Sequence, residues 1–132
     1  MSEENGVPKR RILCIEDEPG MLDLLQLILE AADYEFLRAE DGRLGLEVMQ
    51  RELPDVVLLD LMLPEVDGAE VLLRKKQEPS IRDIPVIAVT ALSSPFDQIM
   101  WQRHTEIRAY ITKPFMRKQI LETIEDALSG AS

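Results

Sequence analysis

The chain has 132 residues, a length that suits one domain, and 45% of them are hydrophobic, which is enough for a single packed core. Its formal net charge of −10 argues against non-specific binding to nucleic acid or to an anionic membrane. The single cysteine, Cys14, excludes an intramolecular disulfide. With no stretch of about 18 apolar residues and no signal-peptide core at the start, we expect a cytoplasmic protein without a membrane span.

Short segments rich in Val and Ile alternate with segments of helical periodicity along the chain. The predicted strands are 11–15, 34–39, 56–59, 86–89 and 109–111. In the helical segments apolar residues recur at i, i+3 and i+4, as do Met21, Leu24, Leu25, Ile28 and Leu29 in the first. This alternation predicts an α/β, flavodoxin-like fold: a doubly wound, five-stranded parallel sheet of order 2-1-3-4-5 with five helices on both faces.

The domain organisation predicted from the sequence is simple. Residues 1–8 are expected to be a disordered leader, and residues 9–132 a single domain without an internal repeat or boundary. The fourth helix carries Phe96, Ile99 and Met100 on one side, at about 100° per residue. We therefore expect those three to face the core, and Trp101 to project away from it as part of a partner or dimer surface.

Charged and hydroxyl side chains fall where the predicted strands end. Glu16 and Asp17 follow strand 1, Asp60 follows strand 3, Thr90 follows strand 4 and Lys113 follows strand 5. Ligands of doubly wound sheets bind outside the carboxyl ends of the strands, and strands 1 and 3 are neighbours in this order. Three carboxylates would then repel one another unless a cation lies among them. Hard oxygen ligands with room for water suit Mg²⁺, and Lys113 supplies a point charge for a phosphoryl group.

Four segments, in this order and spacing, resemble the receiver domain of two-component response regulators. They are ILCIEDEP at 12–19, LLDLMLP at 58–64 with Gly68, VTA at 89–91 and YITKPF at 110–115. The resemblance covers residues 10–129 and is closest to the stand-alone, single-domain type. It implies a phosphorylation-activated switch of a phosphorelay, in which Asp60 accepts a phosphoryl group from a sensor histidine kinase or phosphotransfer protein.

The same resemblance implies a metal site. Asp17 and Asp60 would bind Mg²⁺ directly, together with the main-chain carbonyl of Met62. Glu16 would act through water. The chain would promote its own phosphorylation and dephosphorylation without being a turnover enzyme.

Further roles come from the last two segments. Lys113 would contact the phosphoryl oxygens, across a Lys113–Pro114 bond that is commonly cis in this family. Thr90 and Tyr110 would form the switch pair that changes the face made by helix 4, strand 5 and helix 5. An unknown downstream protein would bind that face, and a homodimer is a further possibility. Glu106 stands where the family commonly has a Gly that ends helix 4, so we expect an unusual connection there.

Two other kinds of small flavodoxin-like protein are open alternatives. A Mg²⁺-dependent phosphohydrolase usually has Asp-x-Asp around its nucleophile, and here Met62 occupies the second position. An FMN carrier would need a Ser/Thr/Gly-rich phosphate loop after strand 1, where this chain has Glu16, Asp17 and Glu18. A third reading is a binding module that is never phosphorylated, and the acidic trio with Lys113 argues against it.

Overall fold

Five β-strands and five α-helices alternate along residues 8–130, the part of the chain that the computed structural model describes. The first elements are β1 (Arg11–Ile15), α1 (Pro19–Ala31), β2 (Glu35–Ala39), α2 (Gly42–Glu52), β3 (Val56–Leu59) and α3 (Gly68–Lys76). The last are β4 (Val86–Thr90), α4 (Pro95–His104), β5 (Ala109–Thr112) and α5 (Arg117–Leu128). Predicted and observed strand ends differ by at most one residue, which is usual for element ends. The expected leader lies outside the described residues, apart from residue 8.

The strands form one parallel sheet of order β2-β1-β3-β4-β5, and the predicted fold class is therefore confirmed. Ile15 at the end of β1 pairs with Leu59 at the end of β3. The N–H of Asp60 then donates to the carbonyl of Ile15 at 3.1 Å. Glu16 and Asp60 consequently leave the sheet side by side. None of the described helices has both the length and the apolar character that crossing a bilayer requires.

The core has two layers, one on each face of the sheet, because side chains alternate along a strand. In β3, Val57 and Leu59 join the layer under α2 and α3, whereas Val56 and Leu58 join the layer under α1 and α5. All four are buried, so no water reaches the centre of the sheet. In α1, Leu22 is buried while Leu24 is 44% exposed, so the apolar side of this helix is rotated from the predicted one.

The rotation predicted for α4 is wrong. Phe96, Ile99 and Met100 are 69%, 54% and 39% exposed, while Trp101 is half-buried and packs against the layer under α2 and α3. No residue of α4 is buried. Because α4 packs loosely, a three-residue apolar arc does not fix its orientation, and the large indole gains most by contacting the core.

The connection from α4 to β5, which was expected to be unusual, does not use a left-handed residue at Glu106. Thr105 closes the helix in an extended conformation, and its N–H and hydroxyl both donate to the carbonyl of Trp101. Glu106 is not among the described residues with a left-handed backbone, which are Asp33, Leu53, Glu65 and Gly130. The side chain of Thr105 therefore caps the helix, and no glycine is needed at Glu106.

Candidate functional site

Asp60 is the centre of the site, directly beyond the end of β3. It is 6% exposed, although a carboxylate is costly to bury unless polar partners surround it. Its Oδ1 accepts the N–H of Met62 at 3.0 Å, and its Oδ2 lies 3.0 Å from Nζ of Lys113. Both carboxylate oxygens therefore have a donor, and the side chain is held in one orientation.

Lys113 connects the end of β5 to the acidic residues. Its N–H donates to the carbonyl of Thr90 at 2.8 Å, which fixes the start of the β5–α5 loop. Its Nζ lies 2.5 Å from Oε1 of Glu16, and the Lys113–Pro114 peptide bond is cis. Burial acts to lower the pKa of Lys113, but hydrogen bonds to Glu16 and Asp60 outweigh it and raise the pKa. The amine is therefore positively charged at neutral pH.

Glu16 and Asp17 supply the other two carboxylates. One oxygen from each of Glu16, Asp17 and Asp60 can be chosen so that all three lie within 4.8 Å of one another. Glu16 is 3% exposed, whereas Asp17 is exposed to solvent. Burial raises the pKa of Glu16, the hydrogen bond from Lys113 opposes that rise, and the charge of Asp60 adds to it. The negative charge of Glu16 is thus destabilised by its surroundings.

This donor set fits a magnesium ion. The carboxylates of Glu16, Asp17 and Asp60 lie close together, and the amine of Lys113 contacts two of them, so the cluster keeps an excess of negative charge that a divalent cation would offset. All three supply hard oxygen ligands, and the exposure of Asp17 leaves one side open for the waters that Mg²⁺ retains. The side chain of Met62 is 55% exposed and so does not fill the site.

Thr90 and Tyr110 lie beside the site and are connected through Leu92. Thr90 is fully buried, and its hydroxyl accepts a long hydrogen bond of 3.4 Å from the N–H of Leu92. The hydroxyl of the half-buried Tyr110 donates to the carbonyl of Leu92 at 2.7 Å. Burial, followed by the charges of Asp97 and Asp60, raises the pKa of Tyr110, so the hydroxyl keeps its proton. The β4–α4 loop is therefore attached to β5 by a side chain.

The sequence matches the family model described as the response regulator receiver domain over residues 12–125. The chain belongs to the response regulator receiver family. It is 35% identical to the polar-differentiation response regulator DivK of Brucella anthropi over 122 residues, covering 92% of this chain and 98% of DivK. The chain is thus a receiver domain of two-component signalling.

Solved structures agree with this assignment. A CheY-like receiver domain from Methanospirillum hungatei superposes with a TM-score of 0.81 at 30% identity, covering 92% of this chain and 95% of that one. The receiver domain of the sensor histidine kinase PA1611 from Pseudomonas aeruginosa has a TM-score of 0.84 at 24% identity, over 92% and 98% of the two chains. It has a magnesium ion coordinated in its active site cleft, and its likeness to this chain is one of fold.

Every side chain predicted for the site lies at this end of the sheet, and two further contributors were not predicted. Oε1 of Glu18 lies 3.7 Å from Nζ of Lys113, and the N–H of Glu18 donates to Glu16 at 3.2 Å. The position of Glu18 directly after Glu16 and Asp17 could have indicated that it belongs to the site. The role of the Leu92 carbonyl, which accepts the hydroxyl of Tyr110, could not be predicted from the sequence, because every residue carries a carbonyl.

Proposed function

We propose that this receiver domain is a phosphorylation-activated switch that accepts a phosphoryl group on Asp60. The supporting observation is the buried strand-end carboxylate of Asp60, with Nζ of Lys113 3.0 Å from Oδ2 and two further carboxylates close by. A structural salt bridge would not need a third carboxylate beside the two that Lys113 contacts. A site for a divalent cation does, because the cation offsets the negative charge and then, with Lys113, neutralises the oxygens of a transferred phosphoryl group.

The reaction is a group transfer to a carboxylate nucleophile. An oxygen of Asp60 forms a bond to phosphorus while the bond from phosphorus to the donor breaks, which yields an acyl phosphate and the free donor. For a histidine kinase or phosphotransfer protein the broken bond is N–P, and the imidazole leaves with the electron pair. Lys113 is already beside Asp60, and it would neutralise charge on the transferred oxygens.

Mg²⁺ would be held by Asp17 and Asp60 directly, by the main-chain carbonyl of Met62, and by Glu16 through water. When bound, the ion supplies positive charge to the phosphoryl oxygens and offsets the repulsion among the three carboxylates. The burial of Glu16 and the exposure of Asp17 favour this division of roles, since the exposed aspartate is free to turn toward the ion.

Phosphorylation would be transmitted through the β4–α4 loop. Thr90 can donate its hydroxyl proton to a phosphoryl oxygen, which would replace the long hydrogen bond from Leu92. Because Tyr110 holds the carbonyl of the same Leu92, movement of this loop would change the face formed by α4, β5 and α5. A downstream protein is proposed to read that face, where Phe96 and Ile99 expose apolar surface.

The proposal is tested by incubating the protein with acetyl phosphate and Mg²⁺ and measuring intact mass. We expect the mass of one phosphoryl group to be added to the wild type, and none to Asp60→Asn. Asp126→Asn removes an acidic group from an exposed position of α5 and should be labelled like the wild type. Equal labelling of Asp60→Asn and wild type would refute the assignment.

The alternative functions are distinguished by further assays on the same protein. A phosphohydrolase would release inorganic phosphate over many turnovers, whereas a switch would consume about one equivalent before its slow hydrolysis. An FMN carrier would quench flavin fluorescence on titration. A module that is never phosphorylated would show no mass change with either acetyl phosphate or a histidine kinase.

A further inference from the structure

Gly42, the first residue of α2, lies against the main chain of the β3–α3 loop (residues 60–67). A Cβ atom placed on Gly42 would lie 2.2 Å from the carbonyl oxygen of Val66 and 2.7 Å from Cγ2 of Val71. Real Cβ atoms essentially never approach a neighbour within 3.0 Å. Gly42 therefore leaves room for the loop backbone, and any larger residue would displace either the loop or the helix.

The β3–α3 loop transmits such a displacement to Asp60 because its two ends are packed together. The N–H of Gly68 donates to the carbonyl of Leu61 at 3.3 Å, and a Cβ on Gly68 would lie 2.7 Å from Cα of Leu61. Leu61 is followed by Met62, whose N–H donates to Oδ1 of Asp60. A push at Val66 therefore reaches the two residues that border the carboxylate.

The exposed part of the loop will move more readily than the helix, whereas Leu61 and Leu63 of the same loop are buried in the core layer under α2 and α3. Leu46, Val48 and Met49 of α2 are at most 9% exposed and lie in the core layer shared with α3, so a shift of α2 would disturb close packing. In the loop, Met62 and Glu65 are exposed, and Glu65 has a φ of 60°, a conformation that is costly for a residue with a side chain.

We propose that Gly42 is a positioning residue for the metal and phosphoryl site, acting through the carbonyl of Val66 and the β3–α3 loop. The inference rests on the proposed function in one respect, namely that Met62 contributes its carbonyl to Mg²⁺. Relief of the contact with Val66 requires a backbone shift of about 1 Å, and misplacement on that scale far from the chemistry can cost about 100-fold in rate.

The test compares Gly42→Ala with two controls. Gly20→Ala is matched, since Gly20 is also in the first turn of a helix and a Cβ there meets nothing within 4 Å. Ile124→Val removes one methylene from a fully buried site in α5 and lowers the urea midpoint without touching the loop. Each variant is measured for urea unfolding, for Mg²⁺ affinity by calorimetry, and for amide chemical shifts without metal.

We expect Gly42→Ala to weaken Mg²⁺ binding at least about 10-fold, the lower end of the range for residues that support metal ligands. In the metal-free protein, the amide chemical shift of Met62 in Gly42→Ala should differ from that in the wild type. Gly20→Ala and Ile124→Val should bind Mg²⁺ as the wild type does, the latter despite its lower stability. A loss of stability alone would change neither the Mg²⁺ affinity nor the amide chemical shift of Met62.

A second variant isolates the backbone contact. Adding Val71→Ala to Gly42→Ala removes the side-chain collision at 2.7 Å and leaves the collision with the carbonyl of Val66. The Mg²⁺ affinity of this double variant should stay low. Full recovery of affinity would overturn the role given to Val66.

The outcomes also separate this inference from the proposed function. Unchanged Mg²⁺ affinity and an unchanged Met62 amide in Gly42→Ala would overturn the inference while leaving the metal site in place. Chemical-shift changes that are confined to residues of α2 would overturn the inference as well. If the wild type bound no Mg²⁺, the metal part of the proposed function would fail, and the Met62 amide alone would decide whether Gly42 positions the loop.

Discussion

Replacing Lys113 with methionine tests how strongly one amine offsets the repulsion in the site. The substitution keeps an unbranched side chain, shorter by one atom, and removes a charge that lies 2.5 Å from Glu16 and 3.0 Å from Asp60. Both carboxylates are buried, at 3% and 6% exposure, so water replaces the lost partner poorly. Removing one partner of a buried ion pair costs about 3–5 kcal/mol.

We expect the lower end of that range, about 3 kcal/mol, because the site is at the edge of the sheet and Asp17 is open to water. For a domain of this size the melting temperature should fall by about 10 °C. The control is Lys118→Met, which removes an 82% exposed amine from a 3.9 Å pair with Glu122. Exposed pairs of this kind contribute at most about 0.5 kcal/mol.

The pH dependence identifies the cause of the loss. The pKa of Glu16 is raised by burial even with Lys113 present, so its ionisation opposes folding and that cost disappears as pH falls. Without Lys113 the pKa of Glu16 rises further. The stability difference between wild type and Lys113→Met should therefore be largest near neutral pH and shrink as pH falls toward about 4.3, the ordinary glutamate value.

The assay is urea unfolding followed by circular dichroism in metal-free buffer, at several pH values. A fall in the midpoint at an unchanged slope shows that the native state lost stability. Millimolar Mg²⁺ should restore more stability to Lys113→Met than to the wild type, since a bound cation replaces the missing charge. A loss below about 1 kcal/mol, or a loss that is the same at all pH values, would refute this electrostatic reasoning.

Three further predictions concern the metal, the phosphorylated state and α4. Asp17→Ala should weaken Mg²⁺ binding more than Glu16→Ala, as calorimetry can measure, because direct coordination tolerates less change than contact through water; equal losses would contradict the ranking. Met62→Asn should shorten the lifetime of the acyl phosphate in a mass-based decay assay, since an amide can orient the attacking water and a thioether cannot; slower decay would count against that reasoning. Trp101→Ala should lower stability by about 3 kcal/mol or less in urea unfolding, because the indole packs on the core, whereas no change would return it to the surface role.

The fold class and the location of the candidate site were predictable from local sequence patterns. Alternation of strand and helix patterns is a local property that predicts a doubly wound parallel sheet, and 2-1-3-4-5 is one of the common orders of such sheets. Once β1 and β3 are neighbours, Glu16 and Asp60 must come together, because parallel strands end at the same edge. The approximate location of the site was therefore predictable before any distance was known.

Which side of α4 faces the core, and which contacts limit the β3–α3 loop, depend on packing between distant segments. Three apolar residues on α4 gave a definite but wrong rotation, since the pattern cannot show how closely a helix packs or that Trp101 would reach the core instead. Gly42 and Val66 are distant in sequence but in close contact, since a Cβ placed on Gly42 would lie 2.2 Å from the carbonyl oxygen of Val66. Contacts of a main-chain carbonyl leave no trace in residue type, because every residue has one.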